Sequence, residues 1–94
     1  MATKKLIATL ERFDIGFWLH SVHELGVATS AYAHLIASTP YIIYPSQSLL
    51  HHQADDIVKG GKPELKNGCV KVPTGPELGV ELDEEKMKKY NLLY

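Results

Sequence analysis

Gly16-Phe17-Trp18-Leu19-His20-Ser21-Val22-His23-Glu24 is the stretch on which the fold turns. Phe17, Trp18 and Leu19 are large apolar residues in a row, too few for a helix and rich in β-formers. A strand apolar on both faces predicts a parallel sheet covered on both sides. The run stops at His20. Ser21 and Glu24 then have the spacing of a capping box, with Ser21 as N-cap and Glu24 at N3. Val22, Leu25, Ala28, Tyr32, Leu35 and Ile36 follow at helical spacing, which predicts a helix with one apolar face. His20 is therefore expected where the C-terminal end of a strand turns into a helix. In α/β folds ligands and catalytic side chains collect at that edge.

Upstream, Thr3 to Arg12 carries Leu6, Ile7 and Leu10 on one side and reads as a short amphipathic helix ended by Asp14 and Gly16. Downstream, Thr39-Pro40 closes the central helix, because the residue before proline is pushed out of the α region. Tyr41-Ile42-Ile43-Tyr44 is a second β-rich run, ended by Pro45. Helix, strand, helix, strand with short connections predicts two parallel, adjacent strands joined by a right-handed crossover.

Beyond Leu49 the pattern changes. Leu49 to Ile57 reads as a helical turn of weak periodicity, and Gly60-Gly61-Lys62-Pro63 is a break. Asn67-Gly68 between Glu64-Leu65-Lys66 and Cys69-Val70-Lys71-Val72 is a hairpin signal, since both central residues of a type I′ turn need positive φ. Pro73 to Pro76 is a rigid loop and Gly79 to Leu82 a short strand. Asp83 caps a last helix whose acidic first turn and lysine-rich later part suit the helix dipole. The break separates an α/β part, 1–59, from a hairpin-plus-helix part, 60–94.

With 94 residues the chain holds at most one domain, and its formal net charge of −1 gives no electrostatic reason to expect nucleic acid or an anionic membrane as partner. Cys69 is the only cysteine, which rules out an intrachain disulfide and fits a reducing cytoplasm. No signal peptide is expected, and no apolar run approaches the roughly 20 residues that span a bilayer. Two strands do not make a stable covered parallel sheet, so the chain is expected to assemble with further copies or to be the tail of a larger enzyme.

His20 is the leading catalytic candidate, because an imidazole at a strand end can serve as a general base near neutrality. The plainer reading is a histidine bonded to nearby backbone. His20, His23 and Glu24 do not make a metal motif, since zinc helices space histidines by four and add a distant third ligand. His51-His52 are adjacent and expected to point apart. Asp55-Asp56 reads as a solvated acidic pair without a third oxygen ligand. Cys69 is expected to pack within its strand, Tyr32 to pack on the central helix, and His34 to lie on the surface. No phosphate loop or dinucleotide fingerprint occurs.

Val72-Pro73-Thr74-Gly75-Pro76-Glu77-Leu78-Gly79-Val80-Glu81-Leu82-Asp83 resembles the C-terminal signature of the mandelate racemase branch of the enolase superfamily. Leu19-His20-Ser21, the helix with His34-Leu35-Ile36-Ala37 and the Thr39-Pro40 stop fit the same family. His51-His52-Gln53-Ala54-Asp55-Asp56 is similar to its acid-sugar dehydratases, the glucarate dehydratase group above all. The resemblance covers nearly the whole chain.

The resemblance implies the C-terminal portion of a modified TIM barrel. Gly16–His20 would be the penultimate strand and Tyr41–Tyr44 the last, and the chain after Gly60 would pack against a capping domain. It implies a dehydratase or racemase that removes the proton α to the carboxylate of a hydroxy acid or sugar acid; the alternative is a truncated, catalytically inactive fragment that only oligomerises or associates with a partner chain. His20 matches the histidine of the family's His-Asp dyad. Gln47 falls near the acidic residue of the last strand, where this sequence departs from the pattern; Gln47 and Ser21 are then expected to bind substrate. The resemblance also implies magnesium as cofactor, although the family's lysine motif, metal-binding carboxylates and dyad aspartate match nothing here.

Overall fold

The computed structural model describes residues 2–90, in the order α1 (Ala2–Arg12), α2 (Gly26–Ala37), a 3-10 turn (Leu50–His52), the hairpin β1 (Leu65–Lys66) and β2 (Cys69–Val70), and α3 (Glu84–Lys89). The end of α1 is built by Asp14. Its φ of +56° lets Asp14 N–H reach Glu11 O (3.1 Å) and Ile15 N–H reach Leu10 O (2.9 Å), a left-handed helix stop with an aspartate where glycine is usual. Tyr41 donates its hydroxyl proton to that aspartate at 2.5 Å.

The two expected strands lie side by side and parallel, but they are not continuous strands. Phe17 and Ile42 form a single parallel bridge, with Ile43 N–H on Phe17 O at 3.4 Å. The next rung of a parallel ladder would need an N–H from residue 45, and Pro45 has none. The ladder therefore skips. Leu19 O accepts from Gln47 N–H instead (2.9 Å), and Leu19 N–H donates to Ser46 Oγ (3.2 Å).

Helix α2 begins later than the capping box predicts. Ser21 turns its hydroxyl onto the Glu24 carboxylate, and His23 sits at φ +56°, so residues 21–25 form an irregular turn. The helix starts at Gly26 after Leu25, which offers no side-chain cap. It ends as expected before Pro40, with Thr39 Oγ1 bonded back to Leu35 O (2.7 Å). Its fully buried positions are Gly26, Thr29 and Ser30, small residues and not an apolar stripe.

The hairpin turns at Asn67-Gly68 as predicted, with Leu65 opposite Val70 and Lys66 opposite Cys69, and Asn67 and Gly68 are both at positive φ. Cys69, expected to pack, is exposed, whereas Val70 beside it is half-buried. Gly79 to Leu82 forms one antiparallel bridge, Val58 to Leu82, and not a strand; Lys59 N–H meets Glu81 O and Asp83 N–H meets Ile57 O. Asp83 caps α3 by accepting Lys86 N–H at 3.1 Å.

The buried apolar residues are Ile7, Leu50 and Val58. Trp18, Ile43 and Tyr44 are 46%, 52% and 62% exposed, so the sheet faces expected to be covered are open here. The accessible surface of 7018 Å² exceeds the about 5,400 Å² of a self-contained monomer of this mass.

Candidate functional site

His20 lies at the end of the extended segment, exposed, with the edge of its ring environment set by Trp18 (centroids 5.9 Å apart, planes at 74°). Its position along the chain is fixed by Leu19, whose N–H and C=O are both taken by residues 46 and 47. The same bonds bring the Gln47 backbone beside His20, and Gln47 itself is exposed. Ser21 differs: it is 4% exposed, and its hydroxyl is spent on Glu24. That hydrogen bond, helped by Val22 N–H, holds the Glu24 carboxyl below its ordinary value.

Two residues that sequence reasoning left out of the site hold the segment after His20. Gln53 Nε2 donates to Glu24 O, and Asp56 Oδ2 accepts Gly26 N–H at 2.7 Å. Asp56 is not the solvated acid expected. It is 1% exposed, and its second oxygen accepts Ile57 N–H (2.7 Å) and Val58 N–H (3.3 Å). A helix start leaves N–H groups without partners, and here a carboxylate thirty residues downstream supplies the acceptor. The Oε1 atom of Gln53 is buried without a donor among the described residues. Nothing local in the sequence signals either contact.

Asp55 faces the other way. Lys86 Nζ and Tyr90 Oη each lie 2.6 Å from its carboxylate, and these two bonds, Lys86 first, hold its pKa far below the ordinary carboxylate range. His34 is half-buried and not a free surface residue, with Nε2 donating to Leu78 O at 3.2 Å. The rings of His51 and His52, expected to diverge, lie 4.0 Å apart in the 3-10 turn. A groove of about 430 Å³ between Val58, Pro63, Val70, Pro73 and Val80 shares no residue with the His20 segment.

The described residues do not fit a magnesium ion. No three His, Cys, Asp or Glu side chains converge among them. Asp14, Glu24, Asp55, Asp56 and Glu81 are each committed to a hydroxyl, an N–H or a lysine. Hard cations need several free oxygens at one point.

The family model described as "Enolase C-terminal domain-like" matches residues 1–86. A protein named probable glucarate dehydratase, from Streptomyces coelicolor, is 31% identical over 85 residues, which is 90% of this chain and 20% of that protein. An isomerase from Streptomyces coelicolor is 44% identical with a TM-score of 0.87, covering 95% of this chain and 24% of the other. An enolase from Pseudomonas fluorescens, solved with magnesium, potassium and tartrate, is 34% identical with a TM-score of 0.86 over 93% of this chain and 21% of its own. The chain thus spans about a fifth of the length of this curated relative, the probable glucarate dehydratase.

Proposed function

This chain belongs to the enolase C-terminal domain-like family, and from that premise we propose that it forms the C-terminal part of a magnesium-dependent dehydratase or racemase acting on a hydroxy acid or sugar acid. Gly16–His20 is then the penultimate strand of a modified TIM barrel and Tyr41–Tyr44 the last. The exposed Trp18, Ile43 and Tyr44 are the surfaces that neighbouring strands and helices, from the rest of the polypeptide or from further copies, would cover. The part after Gly60, with exposed Leu65 on its hairpin, packs on a capping domain. The cytoplasm suits the exposed lone thiol of Cys69, and no helix among the described residues is long and apolar enough to cross a membrane.

The observation that carries the reading is the exposed imidazole of His20 at the end of its extended segment, with the Gln47 backbone bonded to the residue before it. His20 takes the proton α to the substrate carboxylate. In a racemase that carbon is reprotonated on its other face. In a dehydratase the β-hydroxyl takes up a proton and leaves as water, and the resulting enol tautomerises to a 2-keto acid. Gln47, an amide and not an acid, hydrogen-bonds the substrate, and the Ser21 hydroxyl holds the Glu24 carboxylate. In this reading the magnesium is held by groups outside the described residues.

The test is a full-length hybrid in which this chain replaces the matching 24% of the Streptomyces coelicolor isomerase. Incubated in deuterated solvent with a panel of hydroxy and sugar acids, it should place deuterium at the α-carbon of at least one. A folded hybrid that exchanges none, beside an active parent, would overturn the reading.

A further inference from the structure

We propose that Gln53 and Asp56 are positioning residues for His20, acting through the segment 21–26; the inference rests on the reading of His20 as the proton-transfer group. Whatever orients the His20 ring in the complete enzyme, the backbone on either side sets where the residue stands. On the N-terminal side Leu19 is held by Ser46 and Gln47. On the C-terminal side the backbone is irregular, with His23 at φ +56°, and no ladder or helix bond fixes it before Gly26.

Three contacts do fix it. Ser21 bonds the Glu24 carboxylate, Gln53 bonds the Glu24 carbonyl, and Asp56 bonds the Gly26 N–H. The last two come from the segment that follows the second extended run. Asp56 is itself immobilised, since it is 1% exposed and also accepts from Ile57 and Val58. Gly26 is the residue that lets it approach: a Cβ there would stand 2.9 Å and 3.0 Å from the two carboxylate oxygens. His20 is thus held between two clamps, residues 46–47 on one side and residues 53 and 56 on the other. Proton transfer requires near-attack geometry, and a displacement of about 1 Å can cost about a hundredfold in rate.

Asp56→Asn is the informative substitution. Asparagine has the same shape, but it offers one carbonyl oxygen where the carboxylate serves N–H groups with both. With Oδ1 kept on Ile57 and Val58, an NH2 group faces Gly26 N–H, and the bond is lost. Gln53→Met keeps length and removes the donor to Glu24. In the 94-residue chain, amide hydrogen exchange of Gly26, whose N–H Asp56 holds, should speed up about tenfold or more in either variant. In the hybrid enzyme each should lower kcat for α-proton exchange about tenfold to a hundredfold, with KM within about twofold. The double variant should be little worse than the more severe single one, because both act through one segment.

Unchanged amide exchange at Gly26, or a wild-type kcat despite faster exchange there, overturns the proposal. If Asp56→Asn fails to fold, Gln53→Met decides alone. His20→Asn in the same series separates the two readings. If it loses activity while Gln53→Met and Asp56→Asn keep theirs, the positioning role falls and the reading of His20 stands. If it keeps activity, both fall.

Discussion

The buried carboxylate of Asp56 and the backbone N–H of Gly26, 2.7 Å apart, join the start of helix α2 to a loop thirty residues later. The contact needs an acid with no room for solvent and a helix start with no side chain. Each residue explains the other.

Gly26→Ala should therefore destabilise the chain although alanine is the better helix former. The added Cβ would sit 2.8 Å from Val58 Cγ2 and 2.9 Å from Asp56 Oδ2, both buried. Overpacking of this kind costs about 1–3 kcal/mol, against a propensity gain of at most about 1. Urea unfolding should show a net loss; an equal or higher midpoint would contradict the account.

Gly79→Ala should be worse than Gly68→Ala. Both glycines have positive φ, +72° and +74°, which costs any L side chain about 1–2 kcal/mol. At Gly68 the new methyl group meets open space, whereas at Gly79 it falls 2.6 Å from Pro73 Cβ and 2.9 Å from Gly75 N. Paired unfolding curves would show the difference. Equal losses would mean that the Pro73–Gly79 loop yields freely.

Asp55 predicts an acid-sensitive contact. Its folded-state pKa is depressed, so its contribution is present above the ordinary carboxylate value of about 4 and fades as pH falls below that. Asp55→Asn should melt lower than wild type at pH 7, and the gap should close towards pH 2. Added salt should narrow it as well, since Asp55 and Lys86 are about a third exposed and water screens such pairs. A gap that is constant from pH 7 to pH 2 would contradict the assignment.

Magnesium titration of the isolated chain should show no saturable heat at millimolar concentration, because no three potential ligands converge among the described residues. A single-site isotherm would show that they rearrange into a site.

The features legible in the sequence are the locally encoded ones. Asn67-Gly68 specifies its turn through positive φ, Asp83 its helix through a cap three residues away, and Thr39-Pro40 a stop through proline sterics. The parallel neighbours Phe17 and Ile42 were legible from order and apolarity. What failed depended on distance. Ser21-x-x-Glu24 has the spacing of a capping box, yet His23 at positive φ turns the chain and the cap comes from Asp56. Pro45 carried the information that the ladder would skip, but only once its place opposite Leu19 was known. His20 was legible as a strand-end histidine, whereas Gln53 and Asp56 looked like loop polarity because their partners lie 29 and 30 residues away.

The central claim, that His20 moves the proton α to a carboxylate, is tested most directly by following α-proton exchange with deuterated solvent by NMR in the hybrid enzyme and its His20→Asn variant. Asparagine keeps some hydrogen bonding but cannot act as a base near neutrality. The account predicts a fall of about a hundredfold to ten-thousandfold in exchange and turnover. Exchange and turnover both near wild type would contradict it and leave His20 a structural residue.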